Sequence, residues 1–299
     1  MIVRGAFNVL LRPLMRGAFR DAYSELPEEY PQFLRVGNQT GPYVEAVEMG
    51  GLPRMVERGE TEPIIYVDPL IGQPREWVDT EFALGFQVSR KMMEDDQYNR
   101  AVQSSRWLGR SARLTQEFAA AAFLDDMFDG DLHTGLDGGP LIGSHPLLRG
   151  GTWTNLVPNN PQLSVTGLQA AYETAARTRD IDGNPYPWVP NVLLHGLQDQ
   201  WIAIQLTQSE LEPFTSDNQV NPLRQRMRGV RPVMSNYRTN DRAWALFNKE
   251  MSDAHFLFRV RPQFEDTFDF DTKAAKFSGR QRINVYFASA RGWVASNPA

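Results

Sequence analysis

The spacing of hydrophobic residues along the chain predicts a mixture of strands and helices. Phe82, Leu84, Phe86 and Val88 alternate with small or polar residues, which is typical of a half-buried strand. The same alternation returns near the C-terminus at three places: Phe256, Phe258 and Val260; Phe268 and Phe270; and Ile283, Val285 and Phe287. Short apolar runs at 188–194, 230–236 and 243–247 predict further strands, so the chain reads as an α+β protein.

Residues 97–128 predict the longest helix, because they contain no proline and only one glycine. An apolar stripe recurs along them at Trp107, Leu114, Phe118, Ala121, Leu124 and Phe128, and a basic face carries Arg106, Arg110 and Arg113. We expect the apolar stripe to face the core. Two shorter helices are predicted, one at 198–207 and one that begins after Ser164 as its N-cap.

The composition of the first 60 residues predicts that the chain begins with an extended arm. Five prolines, at 13, 27, 31, 42 and 53, argue against a long helix in this part of the chain. Residues 1–20 carry four arginines and no acid, whereas residues 21–60 carry eight acids and three arginines. This division of charge suits an arm that pairs with another subunit, and a mobile terminus is the alternative.

A long hairpin is predicted to follow the arm. Residues 43–49 and 64–67 have the composition of short strands. The segment between them is polar and rich in turn-forming residues, which indicates a mobile tip.

Composition excludes several classes of function. The 299 residues include no cysteine, which removes disulfides, thiolate catalysis and cysteine metal sites. The net charge of −5 argues against a chain that coats nucleic acid. No stretch approaches the roughly 18 apolar residues of a membrane span, and Arg12, Pro13 and Arg16 interrupt the apolar start. We expect a soluble, intracellular product without membrane contact.

Candidate chemistry is confined to an acidic stretch and the glycine-rich run after it. Asp125, Asp126, Asp129, Asp131 and Asp137 lie close in sequence to His133 and His145, and could hold a hard cation. The calcium-loop pattern is missing, and Ser144-His145 lacks the nucleophile-elbow pattern. We therefore assign no catalytic, cofactor-binding or metal residue, and expect neither an enzyme nor a cofactor. A metal-assisted hydrolase using Asp125–Asp137 remains a less favoured alternative.

Several runs in fixed order carry a resemblance to a known family. They are TGLDGGPLIGSHP (134–146), GGTWTNL (150–156), residues 163–195, NQVNPLR (218–224) and SNYRTNDRAWALF (235–247). Together they resemble the major capsid proteins of tailed bacteriophages, which have the Hong Kong 97-type fold, and in detail the Mu-like major head subunits. The resemblance covers about residues 82–294.

The resemblance implies a fold with an N-terminal arm at 1–45 and an extended β-hairpin loop at 46–80. A peripheral domain with the long spine helix would comprise 81–138 and 256–281. An α/β axial domain would comprise 139–255 and 282–299. Asp137 and His145 would then be turn and loop-packing residues of the crossing between the two domains.

The resemblance also implies the function and partners. Copies of the chain would form pentamers and hexamers of an icosahedral virion shell, assembled in the host bacterial cytoplasm around double-stranded genomic DNA. Portal and scaffolding proteins would be partners. The resemblance leaves open whether a cement protein is a further partner. No long charged segment precedes the arm, so we expect any scaffold to be a separate protein. An encapsulin-like bacterial compartment, which encloses protein cargo, is the main alternative.

We predict that the mature shell carries no covalent crosslink through the extended loop. Some members of this fold join subunits by an isopeptide bond from a lysine of that loop, and residues 46–80 here contain no lysine. A denaturing gel of mature particles should therefore show single chains. A ladder of covalent multimers would contradict this prediction.

Overall fold

The computed structural model describes residues 4–89, 91–92, 99–209, 229–269 and 274–298, with side chains described from residue 12 onward. The NQVNPLR run at 218–224 and Phe270 lie outside the described residues.

Within the described residues the chain forms four α-helices and twelve strands. The helices are α1 (Arg4–Glu25), α2 (Arg100–Asp125), α3 (Val165–Ala176) and α4 (Gln200–Gln208). The strands are β1 (Arg35–Asn38), β2 (Tyr43–Met49), β3 (Ile71–Val78), β4 (Thr80–Val88), β5 (Ser144–Pro146), β6 (Thr152–Thr154), β7 (Val192–His195), β8 (Arg231–Met234), β9 (Trp244–Phe247), β10 (Ala254–Phe268), β11 (Ala275–Phe287) and β12 (Trp293–Ser296). The long helix predicted over 97–128 is confirmed as α2, which begins after Asn99.

The first sheet is built on the two longest strands. Its order is β1-β10-β11-β4. β10 and β11 pair antiparallel, with Ala254 opposite Phe287 and Phe268 opposite Ala275. β4 pairs with the other edge of β11, and β1 runs parallel to β10. The alternating pattern at Phe256 and Phe258 is confirmed, because both side chains are buried on one face.

The second sheet has the order β12-β9-β7-β8 and carries α3 and α4. Its strands are short and buried throughout β7, β9 and β12, which explains their continuous apolar runs. Ser164 caps α3 as predicted, because its hydroxyl accepts the N–H of Gly167 at 3.1 Å.

One continuous core joins the two sheets. Phe247 of β9 stacks on Trp293 of β12 with ring centroids 4.2 Å apart. Phe123 of α2 meets Phe287 of β11 edge-on at 6.0 Å, and all four rings belong to the same buried cluster. The long helix and both sheets are therefore held by shared apolar packing.

The N-terminal part differs from the sequence prediction of an extended arm. α1 spans Arg4–Glu25 and includes Pro13, so the expectation that the prolines exclude a long helix is wrong. A proline removes one backbone hydrogen bond from a helix interior. Here Met15, Phe19 and Ala22 are buried against the rest of the protein, and this packing outweighs that loss.

The buried face of α2 also differs from the predicted apolar stripe. Trp107 and Phe118 are 60% and 56% exposed. Ala121 and Leu124 of the predicted stripe are buried as expected. The buried face also carries the polar residues Arg113, Gln116 and Glu117, so Arg113 leaves the predicted basic face. This face is buried because α1 and the segment after it cover it and supply hydrogen-bond partners.

The hairpin at the start of the chain is confirmed, but its return strand begins later than predicted. β2 pairs antiparallel with β3, and Tyr43 lies opposite Val78. Residues 64–67 form no strand. No segment of the described chain pairs with them, so their β-forming composition is not used within the subunit.

Among the described residues, no helix combines the length and the hydropathy that a bilayer crossing needs.

We predict that Gly109→Ala releases α1 from α2. Alanine normally stabilises a helix relative to glycine by about 1 kcal/mol. At Gly109, however, a β carbon would overlap the backbone carbonyl of Phe19 and lie 3.2 Å from the Tyr23 nitrogen. Hydrogen exchange should rise along α1 in this variant.

Gly17→Ala is the matched control, because a β carbon there meets no atom within 4 Å. This variant should leave exchange in α1 unchanged or slower. Equal exchange in the two variants would contradict the close approach of the helices.

Candidate functional site

The acidic stretch at the end of α2 does not form one site. The two oxygens of Asp125 accept the backbone N–H groups of Thr239 at 2.8 Å and Asn240 at 3.3 Å. Arg238 lies beside it, with its Nε 3.9 Å from Asp125 Oδ1. Burial lowers the pKa of Arg238 to about 10, although the charges of Asp125 and Asp241 oppose this shift. Asp125 therefore ties the end of α2 to the loop between β8 and β9.

Asp126 and Asp137 serve other partners. Asp126 accepts the backbone N–H groups of Asp131, Leu132 and His133, and so closes the turn after α2. Asp137 lies against His145 instead. Within the part of the chain that the structure describes, no three histidines or acids converge as metal ligands would. The geometry gives no support to the hydrolase hypothesis.

The glycine-rich run after the acidic stretch makes sharp turns. Gly138 has a φ of +81° and Gly130 a φ of +69°, a region that favours glycine. A β carbon at Gly130 would also lie 2.9 Å from the Cα of Pro140. These turns carry the chain from α2 to the β5–β6 hairpin, and we call residues 130–146 the crossing segment.

The crossing segment also holds the root of the β2–β3 hairpin. Arg75 donates to the carbonyl of Gly135 at 2.8 Å and to the hydroxyl of Thr134. Trp77 donates its indole N–H to the carbonyl of Thr134 at 3.2 Å. On the β2 side, Glu48 pairs with Arg291 at 2.9 Å.

The tip of this hairpin is the most exposed apolar surface of the described chain. We define the hairpin tip as residues 50–70. Its large apolar side chains face solvent, and Met55 is fully exposed: Leu52, Met55, Val56, Ile64, Ile65, Tyr66 and Val67. Contiguous apolar exposure of this kind marks an interaction surface.

A second exposed apolar surface lies on α2. Trp107, Leu114 and Phe118 line an open groove with Phe82 of β4. Phe118 also meets Tyr237 edge-on, with ring centroids 5.5 Å apart.

A buried polar network fixes the N-terminal segment to α2, and sequence reasoning missed it. Glu117 is 2% exposed and accepts the backbone N–H groups of Glu29 at 3.1 Å and Tyr30 at 3.3 Å. Burial raises the pKa of Glu117 to about 7, although these two hydrogen bonds act in the opposite direction. Glu117 therefore pins the turn that follows α1.

Neighbouring side chains extend this network to the first sheet. Gln116 accepts the hydroxyl of Tyr23 at 3.0 Å and donates to Gln281 of β11 at 2.7 Å. Arg113 pairs with Glu28 at 2.7 Å. The sequence offers no local signal for this network, because its members contact residues far away along the chain.

Comparison with known proteins gives a family for this architecture. A family described as phage capsid protein matches residues 78–296. None of the curated proteins is similar enough in sequence to match.

Solved structures match the fold over almost the whole chain. The procapsid of bacteriophage JBD30 is similar at 16% identity with a TM-score of 0.54, over 99% of this chain and 77% of that one. The capsid of the cyanophage P-SCSP1u gives 12% identity and a TM-score of 0.57, over 89% and 86%. The virus-like particle from Pyrococcus furiosus is similar at 11% identity with a TM-score of 0.54, over 94% of this chain and 97% of that one.

The long helix on a sheet of two long strands, the second sheet and the projecting hairpin thus define a shell subunit of the Hong Kong 97-type fold. The chain belongs to the phage capsid protein family. It is a major capsid protein, the structural subunit of an icosahedral shell, as the sequence resemblance implied.

We predict that Glu117 makes the subunit less stable as the pH rises from about 4.5 to about 7. Its pKa is raised from 4.5 to about 7 in the folded chain, so the native state favours the protonated carboxyl. The contribution of Glu117 to the free energy of unfolding is complete below pH 4.5. This contribution, on the order of 3 kcal/mol, is lost as the pH rises through 7. Urea unfolding of the unassembled chain at several pH values measures it.

Glu117→Gln should remove this part of the pH dependence, since the amide cannot ionise. Glu173→Gln is the control, because Glu173 is exposed on α3 and should leave the profile unchanged. If the free energy of unfolding depends on pH in the same way in wild type and in Glu117→Gln, the prediction is contradicted.

Proposed function

We propose that the chain assembles into pentamers and hexamers that close around phage genomic DNA, and that the hairpin tip makes the contacts between subunits. The observation that carries this proposal is the contrast between the two ends of the hairpin. The root is fixed by Arg75, Trp77 and Glu48, whereas the apolar side chains of the tip face solvent. A fixed root with an uncovered apolar tip suits a projection that packs on another copy.

We propose a division into two domains, with most of the first sheet in one and the second sheet in the other. The peripheral domain comprises 81–138 and 256–281, with α2 on the first sheet. The axial domain comprises 139–255 and 282–299, around the second sheet. Residues 1–45 are the N-terminal arm and 46–80 the extended loop. The shared core supports a rigid junction between the domains, because Phe123 of the peripheral domain and Phe247 of the axial domain lie in one buried cluster.

The charge of the chain supports an enclosing role toward DNA. A net charge of −5 disfavours tight binding of the phosphate backbone over the whole surface. A shell of such subunits confines DNA without holding it at each point of contact. Portal and scaffolding proteins are the further partners that we propose, with assembly in the bacterial cytoplasm and no catalytic activity.

A compartment that encloses protein remains the second candidate, because the virus-like particle of Pyrococcus furiosus shares the fold. The contents of native particles distinguish the two. Nuclease-protected DNA supports the phage shell, and protein cargo without DNA supports the compartment.

We predict that the double variant Ile65→Asp, Tyr66→Asp folds but fails to assemble. Both side chains are exposed in the subunit, so the folded chain loses no packing. Burying two carboxylates in an apolar contact between subunits is strongly unfavourable. Negative-stain microscopy and light scattering should show at least a tenfold loss of shells, with an unchanged circular dichroism spectrum.

Thr61→Asp is the matched control, since it adds a charge to a polar, exposed position of the same tip. It should assemble as wild type does. Normal shells from the double variant would rule out the tip as an assembly contact.

A further inference from the structure

The crossing segment contains a buried histidine whose two ring nitrogens both face oxygen atoms. His145 is 2% exposed. Its Nδ1 lies 2.6 Å from Asp137 Oδ2, and its Nε2 lies 3.2 Å from Asn155 Oδ1. Trp153 stacks on the ring with centroids 4.8 Å apart, so the imidazole is held in one orientation.

The other contacts of Asn155 fix the direction of its amide. Its Nδ2 donates to the carbonyls of Leu141 at 2.8 Å and Ala290 at 3.4 Å. Its Oδ1 accepts the backbone N–H of Gly143 at 2.8 Å. The reversed amide would set the oxygen against two carbonyls and the NH₂ group against an N–H. The atom that faces His145 is therefore an acceptor.

The opposite side of the ring faces an acceptor too. Burial raises the pKa of Asp137, but the hydrogen bond and the charge of His145 and the N–H of Gly139 outweigh it, so the pKa lies below its usual value. Asp137 is thus a carboxylate over most of the pH range. A neutral imidazole has one donor and one acceptor nitrogen, and only the doubly protonated ring donates on both sides.

We propose that His145 is held as an imidazolium, and that the Asp137–His145–Asn155 cluster is a proton-dependent clamp on the crossing segment. Removal of either ring proton sets a nitrogen lone pair against an oxygen acceptor in a buried place, which costs free energy. The inference is independent of the proposed packaging of DNA, since it concerns contacts within one chain.

The remaining charges near the cluster belong to three neighbouring elements. Arg75 of β3 approaches Gly138, where a β carbon would lie 3.6 Å from its Nη1. Arg291 follows β11, with its guanidinium 5.7 Å from the centroid of Trp153, and Glu48 of β2 neutralises it. Asp137 is the one acid in hydrogen-bond contact with His145 among the described residues.

The clamp is connected to the hairpin root and to the residues after β11 through hydrogen bonds of neighbouring residues. Thr134 and Gly135, a few residues before Asp137, hold Arg75 and Trp77 at the hairpin root. Asn155 holds the carbonyl of Ala290 after β11. Loss of the proton therefore weakens the connection between the crossing segment and the C-terminal strands, and with it the support of the hairpin.

The sign of the pH effect follows from the two partners. The contribution of Asp137 is present above its usual pKa and is lost as the pH falls through its lowered value. On the other side, removal of either ring proton would leave a nitrogen lone pair facing an oxygen acceptor, so the proposed clamp opens when the imidazolium is deprotonated.

The test is ¹⁵N NMR of the full-length chain labelled at its four histidines, with His145→Gln to assign the signal. We expect both nitrogens of His145 to be protonated at neutral pH. His255, which is half-buried beside Asp253, is the internal comparison. A neutral ring at His145, with one unprotonated nitrogen, overturns the proposal.

Asp137→Asn provides the second variant, because it keeps the shape and removes the counter-charge. His145 should then have an unprotonated nitrogen at neutral pH, and the free energy of unfolding in urea should fall less between neutral and alkaline pH than it does in wild type. Asp253→Asn is the control and should leave that decrease in place. An equal alkaline decrease in wild type and Asp137→Asn overturns the clamp even if the ring is charged.

Discussion

Hydrogen bonding along both edges of β11 holds the parts of the subunit in register. β10 pairs with one edge of β11 along its length, and β4 pairs with the other edge from Ala275 to Ile283. Gln281 then meets the polar face of α2, while Phe287 enters the core that the second sheet shares. A shift of one residue would turn both side chains to the opposite face of the sheet, because successive side chains of a strand point to opposite faces.

Local periodicity made much of this fold predictable. The strand pattern from Phe82 to Val88 and the helical spacing after Arg100 follow from backbone geometry, which repeats every two residues in a strand and every 3.6 in a helix. The cap at Ser164 is equally local, since donor and acceptor lie three residues apart. The runs of residues that resemble phage capsid proteins supplied the arrangement of these elements.

Contacts between distant residues account for what the sequence did not reveal. Glu117 meets Glu29 and Tyr30 across more than eighty residues, and hydrophobic spacing carries no information about such a pair. The same holds for α1, whose stability as a helix depends on burial against α2. The acidic stretch shows the opposite case: Asp125 and Asp137 are close in sequence, yet each contacts a different partner.

The uncovered apolar side chains of the hairpin tip also limit how the free subunit behaves in solution. Met55 and Tyr66 face water until something covers them, so unassembled chains attract one another without regard to correct geometry. The rate of such disordered aggregation grows steeply with concentration, whereas the absence of cysteine removes oxidative crosslinking as a further hazard. A low concentration of free subunits should therefore favour ordered shells over disordered aggregates.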